Sequence, residues 1–69
     1  MREWLKRIRE EKEISQIEMA LKAGISYSYY NFIENGNRRP SPQVAKRIAD
    51  ILGFRDEWYK LLEATSNSA

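Results

Sequence analysis

The stretch that decides the fold runs from residue 15 to residue 36: Ser15-Gln16-Ile17-Glu18-Met19-Ala20-Leu21-Lys22-Ala23-Gly24-Ile25-Ser26-Tyr27-Ser28-Tyr29-Tyr30-Asn31-Phe32-Ile33-Glu34-Asn35-Gly36. It opens on a capping box, in which the Ser15 hydroxyl can accept from the Glu18 amide while the Glu18 carboxylate reaches back to Ser15. Ile14 and Met19 flank it as a hydrophobic staple. Gly24 follows Ala23 where a left-handed residue would end a short helix. Ser26 then caps a further helix, with Ile25 and Tyr30 as a second staple. That helix runs to about Glu34, and Asn35-Gly36-Asn37 breaks it, because Asn and Gly both tolerate positive φ.

Working outward, Met1 to about Lys12 reads as a helix with Trp4, Leu5 and Ile8 on one face. Ser41-Pro42 is an N-cap followed by an N1 proline, and it opens a fourth helix. Val44, Ala45, Ile48, Ile51 and Leu52 form its apolar stripe, and Gly53 closes it. Asp56 to Glu63 is predicted as a fifth, short helix carrying Trp58, Leu61 and Leu62. No segment alternates with period two, so no strand is predicted. Residues 1–63 make one domain, and 64–69 read as a flexible C-terminal tail.

Composition limits what such a domain can do. Sixty-nine residues with 42% hydrophobic side chains support one modest core, and a chain of this size buries only about 60% of its unfolded surface. There is no cysteine and no histidine, which excludes disulfides, thiolate metal sites and the usual general base. No cofactor or metal is expected, and the scattered carboxylates form no paired acid–base site, so an enzyme is not expected. No apolar run reaches the roughly 18–20 residues of a membrane span, so the expectation is a cytoplasmic protein with no membrane partner. The net charge is only +2, yet Arg38, Arg39, Lys46 and Arg47 fall in one stretch, 35–47, that contains no acid. Charge of this kind suits a polyanion, although a solvated basic loop would look the same.

Two short capped helices joined by Ala23-Gly24-Ile25-Ser26 form a helix-turn-helix unit, whose second helix can project into a major groove. On a helical wheel Tyr30 and Ile33 define its inward face. Ser28, Asn31, Phe32 and Asn35 point the other way, with Tyr27 and Tyr29 on the flanks. The outward face carries no charge. Its amides, hydroxyl and aromatic ring suit base edges: Asn pairs with adenine, Ser donates or accepts, and an apolar ring meets a thymine methyl.

The elements Ser15-Gln16-Ile17-Glu18-Met19-Ala20, Gly24-Ile25-Ser26 and Ile33-Glu34-Asn35-Gly36-Asn37-Arg38-Arg39-Pro40-Ser41 together resemble the Cro/CI-type (XRE-like) helix-turn-helix family of phage and bacterial repressors. The resemblance runs without gaps from about Leu5 to Gly53. It implies an all-α, five-helix phage-repressor-like domain that binds operator DNA in the major groove, commonly as a homodimer. Tyr27, Ser28, Asn31 and Phe32 are the candidate base contacts. Gln16, Ser26, Asn35, Asn37, Arg38 and Arg39 are the candidate phosphate contacts, with Arg39 also within range of a minor groove. Lys46 and Arg47 are given an electrostatic role alone. The family pattern pairs Arg9 with Glu34 as a structural ion pair, and the wheel sets Glu34 beside the core face.

Four positions depart from the family. Glu13 stands where glycine is frequent, which predicts a tight or strained turn. Phe32 stands where a polar or basic residue is usual, and it fits either a thymine contact or an exposed partner surface. Ile17 and Leu21 stand at usually polar positions; exposed, they would form a strip for a protein partner, and covered by the first helix they would be core. The expected dimer element is the fifth helix, with Trp58, Leu61 and Leu62. The leading reading is thus a regulator, a repressor in output by family likeness, that binds double-stranded DNA. A protein-interaction module on the same fold, antitoxin- or anti-repressor-like, is the alternative, and single-strand or RNA binding by tyrosine stacking is a third.

Overall fold

A computed structural model describes residues 1–63; the expected tail at 64–69 lies outside the described residues. The chain is all-helical over that range: α1 (Glu3–Glu11), α2 (Gln16–Ala23), α3 (Tyr27–Asn35), α4 (Pro42–Leu52) and a closing 3₁₀ helix (Arg55–Leu62).

The helix boundaries follow their local chemistry. At α2 the capping box is complete, with Glu18 N donating to Ser15 Oγ at 3.0 Å and Ser15 N donating to Glu18 Oε1 at 3.2 Å. Ser26 and Ser41 cap α3 and α4 by accepting from the amides of Tyr29 and Val44. Gly24 leaves α2 at φ 72°, a conformation that an L side chain enters only with strain. Arg47 of α4 reaches over this turn, its Nη1 donating to the Ala23 carbonyl at 3.3 Å. Arg47 therefore fastens the helix-turn-helix unit to α4 as well as adding charge. Lys46 lies over the Trp58 ring, 4.8 Å from its centroid.

The core gathers one side of every helix: Leu5 from α1, Met19, Ala20 and Ala23 from α2, Tyr30 and Ile33 from α3, Ala45, Ile48 and Leu52 from α4, and Leu61. Trp4 and Phe54 close one edge of it edge-to-face, with ring centroids 5.4 Å apart. Two expectations need correction. The first helix begins at Glu3 rather than Met1, because Arg2 is drawn into the interior. The fifth, short helix is present and takes the 3₁₀ form, with Glu57 at non-helical angles. It packs closely on α4, and Leu61 is wholly buried in the core, so Leu61 belongs to no dimer surface; Trp58 and Leu62 are partly buried against the same core.

The first turn does carry strain. Glu13 sits at φ 58°, the left-handed region that glycine enters freely. Ile17 and Leu21 are 61% and 75% exposed, so α1 does not cover them.

Candidate nucleic-acid interface

The inner face of α3 is built around Glu34, whose side chain is fully buried. Arg9 of α1 grips it with two bonds, Nε to Oε2 at 2.9 Å and Nη2 to Oε1 at 3.0 Å. Tyr30 donates its hydroxyl to Oε2 at 2.8 Å, and Gln16 donates its amide to Oε1 at 2.9 Å. Burial opposes ionisation of Glu34 most strongly, but the bonds from Arg9, Gln16 and Tyr30 outweigh it and hold the carboxyl below its usual range. The same burial, with the bond to Glu34, pushes the Tyr30 hydroxyl up. Arg9 also donates Nη1 to the Ile14 carbonyl at 2.8 Å, which closes the turn after α1.

From Gln16 the polar chain continues outward. Its carbonyl oxygen accepts from the Tyr27 hydroxyl at 3.2 Å and from Asn31 Nδ2 at 3.3 Å. Asn35 Nδ2 in turn donates to Asn31 Oδ1 at 3.0 Å. The buried ion pair is thus linked, through one amide, to the side chains on the outer face of α3. The Gln16 amide is engaged inward with Glu34 and outward with Tyr27 and Asn31, and its second Nε2 hydrogen stays free for the phosphate that sequence reasoning gave it. Sequence gave no signal of this bridge, because it joins residues 11 and 15 positions apart through side-chain geometry alone.

Around that face, Ser28, Tyr27 and Phe32 are exposed, and Asn31 and Asn35 are half-buried. Ser26, Asn37, Arg38 and Arg39 are exposed as well. The Ser26 oxygen is used in capping, but its hydroxyl proton remains available to an acceptor. The segment after α3 is held tightly. Gly36 turns it at φ 82°, and the amides of Asn37 and Arg38 both donate to the Phe32 carbonyl, at 2.9 and 3.3 Å. The Arg38 guanidinium lies over the Tyr29 ring, 5.2 Å from its centroid. The Tyr29 hydroxyl also accepts from Ser41 N at 3.4 Å, so Tyr29 ties α3 to the start of α4. Tyr27 thus ties the first turn of α3 to the first turn of α2, and Tyr29 ties it to the cap of α4.

Two further residues escaped the sequence reading. Tyr29 is a tether for the basic segment as well as a flanking residue. Arg2 is buried beneath it, bonded to backbone carbonyls. Among the described residues no cluster of metal-ligating side chains occurs, and no helix is long and apolar enough to cross a membrane.

A capped α2, a left-handed Gly24 and a capped α3 with an uncharged outer face define a helix-turn-helix protein. The Helix-turn-helix family matches residues 5–59, and the chain belongs to that family, in its XRE-like branch of transcriptional regulators. It is 46% identical over 67 residues to the uncharacterized HTH-type transcriptional regulator YqaF of Bacillus subtilis (strain 168), covering 97% of this chain and 86% of that protein. It is also 38% identical over 55 residues to the ImmF control region 10 kDa protein of Bacillus phage phi105. That match covers 80% of this chain but only 61% of the phage protein. No solved structure matches the chain.

Proposed function

We propose that this protein is a sequence-specific regulator of transcription, a cytoplasmic repressor that reads operator half-sites in the major groove of double-stranded DNA through α3. The observation that carries this reading is the uncharged outer face of α3. Asn31 and Tyr27 are oriented there by Gln16, and an acid-free basic segment lies at the helix's end. Ser28 and Asn31 read bases, with Phe32 and Tyr27 contacting thymine methyls or sugar edges. Asn37, Arg38 and Arg39, with Ser26 and Asn35, hold the phosphates. Arg9 and Glu34 take no part in contact; they fix the helix that makes it. Two copies joined through Trp58 and Leu62 would set two such helices one turn of B-DNA, about 34 Å, apart.

The test is selection of a site from a random duplex library, followed by titration of variants. Arg39→Ala should weaken binding to all sequences and reduce the salt slope by about one, whereas Asn31→Ala should relax preference at one base position. Failure of both substitutions to alter DNA affinity would transfer support to an interaction module. That second reading draws on Ile17, Leu21 and Phe32, which expose apolar surface on adjacent helices, Phe32 to 42%.

A further inference from the structure

Arg2 is the one arginine besides Arg9 that the fold takes into its interior, at 4% exposure. Its partners are all backbone carbonyls. Nη1 donates to Ile33 O and, at 3.2 Å, to Arg38 O, while Nη2 donates to Leu61 O at 3.1 Å. Its own amide donates to Glu34 O at 2.8 Å. One side chain therefore joins the last turn of α3, the basic segment beyond it and the end of the 3₁₀ helix. No carboxylate neutralises it among the described residues, where the ion pairs are Arg9–Glu34, Arg55–Asp50 and Lys60–Glu57. The carbonyl end of α3 offers it about half a negative charge. Burial lowers the Arg2 pKa first, and the nearby positive charge of Arg39 lowers it further, which sets the two cations within each other's field.

Position and charge point the same way. The grip on Arg38 O fixes the backbone at the residue whose guanidinium packs on Tyr29, and it does so from the side opposite to solvent. Such a hold removes conformational freedom that the segment would otherwise lose on meeting a phosphate. The incomplete neutralisation leaves positive potential that an approaching anion relieves. We propose that Arg2 is a positioning residue for DNA-backbone contact: from beneath, it fixes the 36–41 segment with Arg38 and Arg39 facing outward, and it adds its own unneutralised charge to theirs. This rests on the DNA-binding reading above and assigns to it a residue that never touches the duplex.

The test is a double-mutant cycle on the full chain, with a random-sequence duplex pool as probe at low salt. Arg2→Met should weaken binding about tenfold and flatten the dependence of log K on log salt, in protein whose far-UV circular dichroism shows it folded. In an Arg38→Ala/Arg39→Ala background the same substitution should cost only about twofold, because the residues it positions are gone and its own charge alone is lost. A full additional loss in that background would show that Arg2 merely holds the domain together, and it would overturn the proposal. So would unchanged affinity and salt slope in Arg2→Met. Arg2→Lys keeps the charge without the planar three-carbonyl geometry and should fall between wild type and Arg2→Met; if Arg2→Met does not fold, the cycle is run with Arg2→Lys and judged by the same additivity. A wild-type chain that binds no duplex at low salt sinks the DNA reading itself. Binding by wild type with an additive cycle sinks only the role of Arg2.

Discussion

Two guanidinium groups lie inside this domain, and they are held by different chemistry. Arg9 meets a carboxylate, Glu34, face to face, and their charges cancel within the core. Arg2, at the N-terminal end of the same helix, meets only neutral carbonyls at Ile33, Arg38 and Leu61. The first arrangement makes α3 a fixed element and contributes nothing to the external field. The second leaves charge beneath a basic surface. The comparison separates two duties that arginine performs in a small helical protein: fastening an element, and shaping the potential around it.

Breaking the neutralised pair should have the largest effect. Glu34→Gln leaves Arg9 buried without its counter-charge, and it should cost roughly 3–5 kcal/mol of stability in a denaturant titration. Acid probes the same pair without mutation. The Glu34 carboxyl is depressed in the folded state, so its contribution is fully present above the unfolded carboxyl pKa of about 4.5 and is lost as pH falls through the lower folded value. Melting temperature should therefore fall on acidification, and Glu34→Gln should flatten that part of the profile. Arg2, which has no carboxylate partner among the described residues, should add nothing to this slope. The smallest effect is a gain. Glu13→Gly relieves the positive φ in the turn that Arg9 closes through Ile14, and it should raise stability by up to about 1 kcal/mol, or roughly 4–8 °C in melting temperature.

The contrast also shows what a sequence can reveal. Both helices of the central unit were legible because their signals are local: Ser15 with Glu18, Ser26 with the Tyr29 amide, and Gly24 immediately after Ala23. The inward placing of Tyr30 and Ile33 followed from periodicity, and the partnership of Arg9 with Glu34 from the family pattern. Arg2 was invisible for a physical reason. Its acceptors are carbonyls, which every residue has, and they arrive from positions 33, 38 and 61, so no complementary side chain marks them. The end of the chain misled for another reason. Trp58, Leu61 and Leu62 fit either a core or an exposed face, and only the packing of the 3₁₀ helix on α4 turns Leu61 inward. Ile17 and Leu21 were equally ambiguous, and there the structure resolves the choice toward solvent.

The amide of Gln16 has a consequence for how this domain can change its preferences. Since its oxygen orients both Tyr27 and Asn31, while its nitrogen is committed to Glu34, the side chain at position 31 does not choose its rotamer independently. Substitution at 31 alone would leave Gln16 Oε1 with the Tyr27 hydroxyl as its donor and take from Asn35 Nδ2 its acceptor. On the proposed reading of bases by Asn31, a library that varies 16 and 31 together should yield functional combinations that single-site randomisation misses.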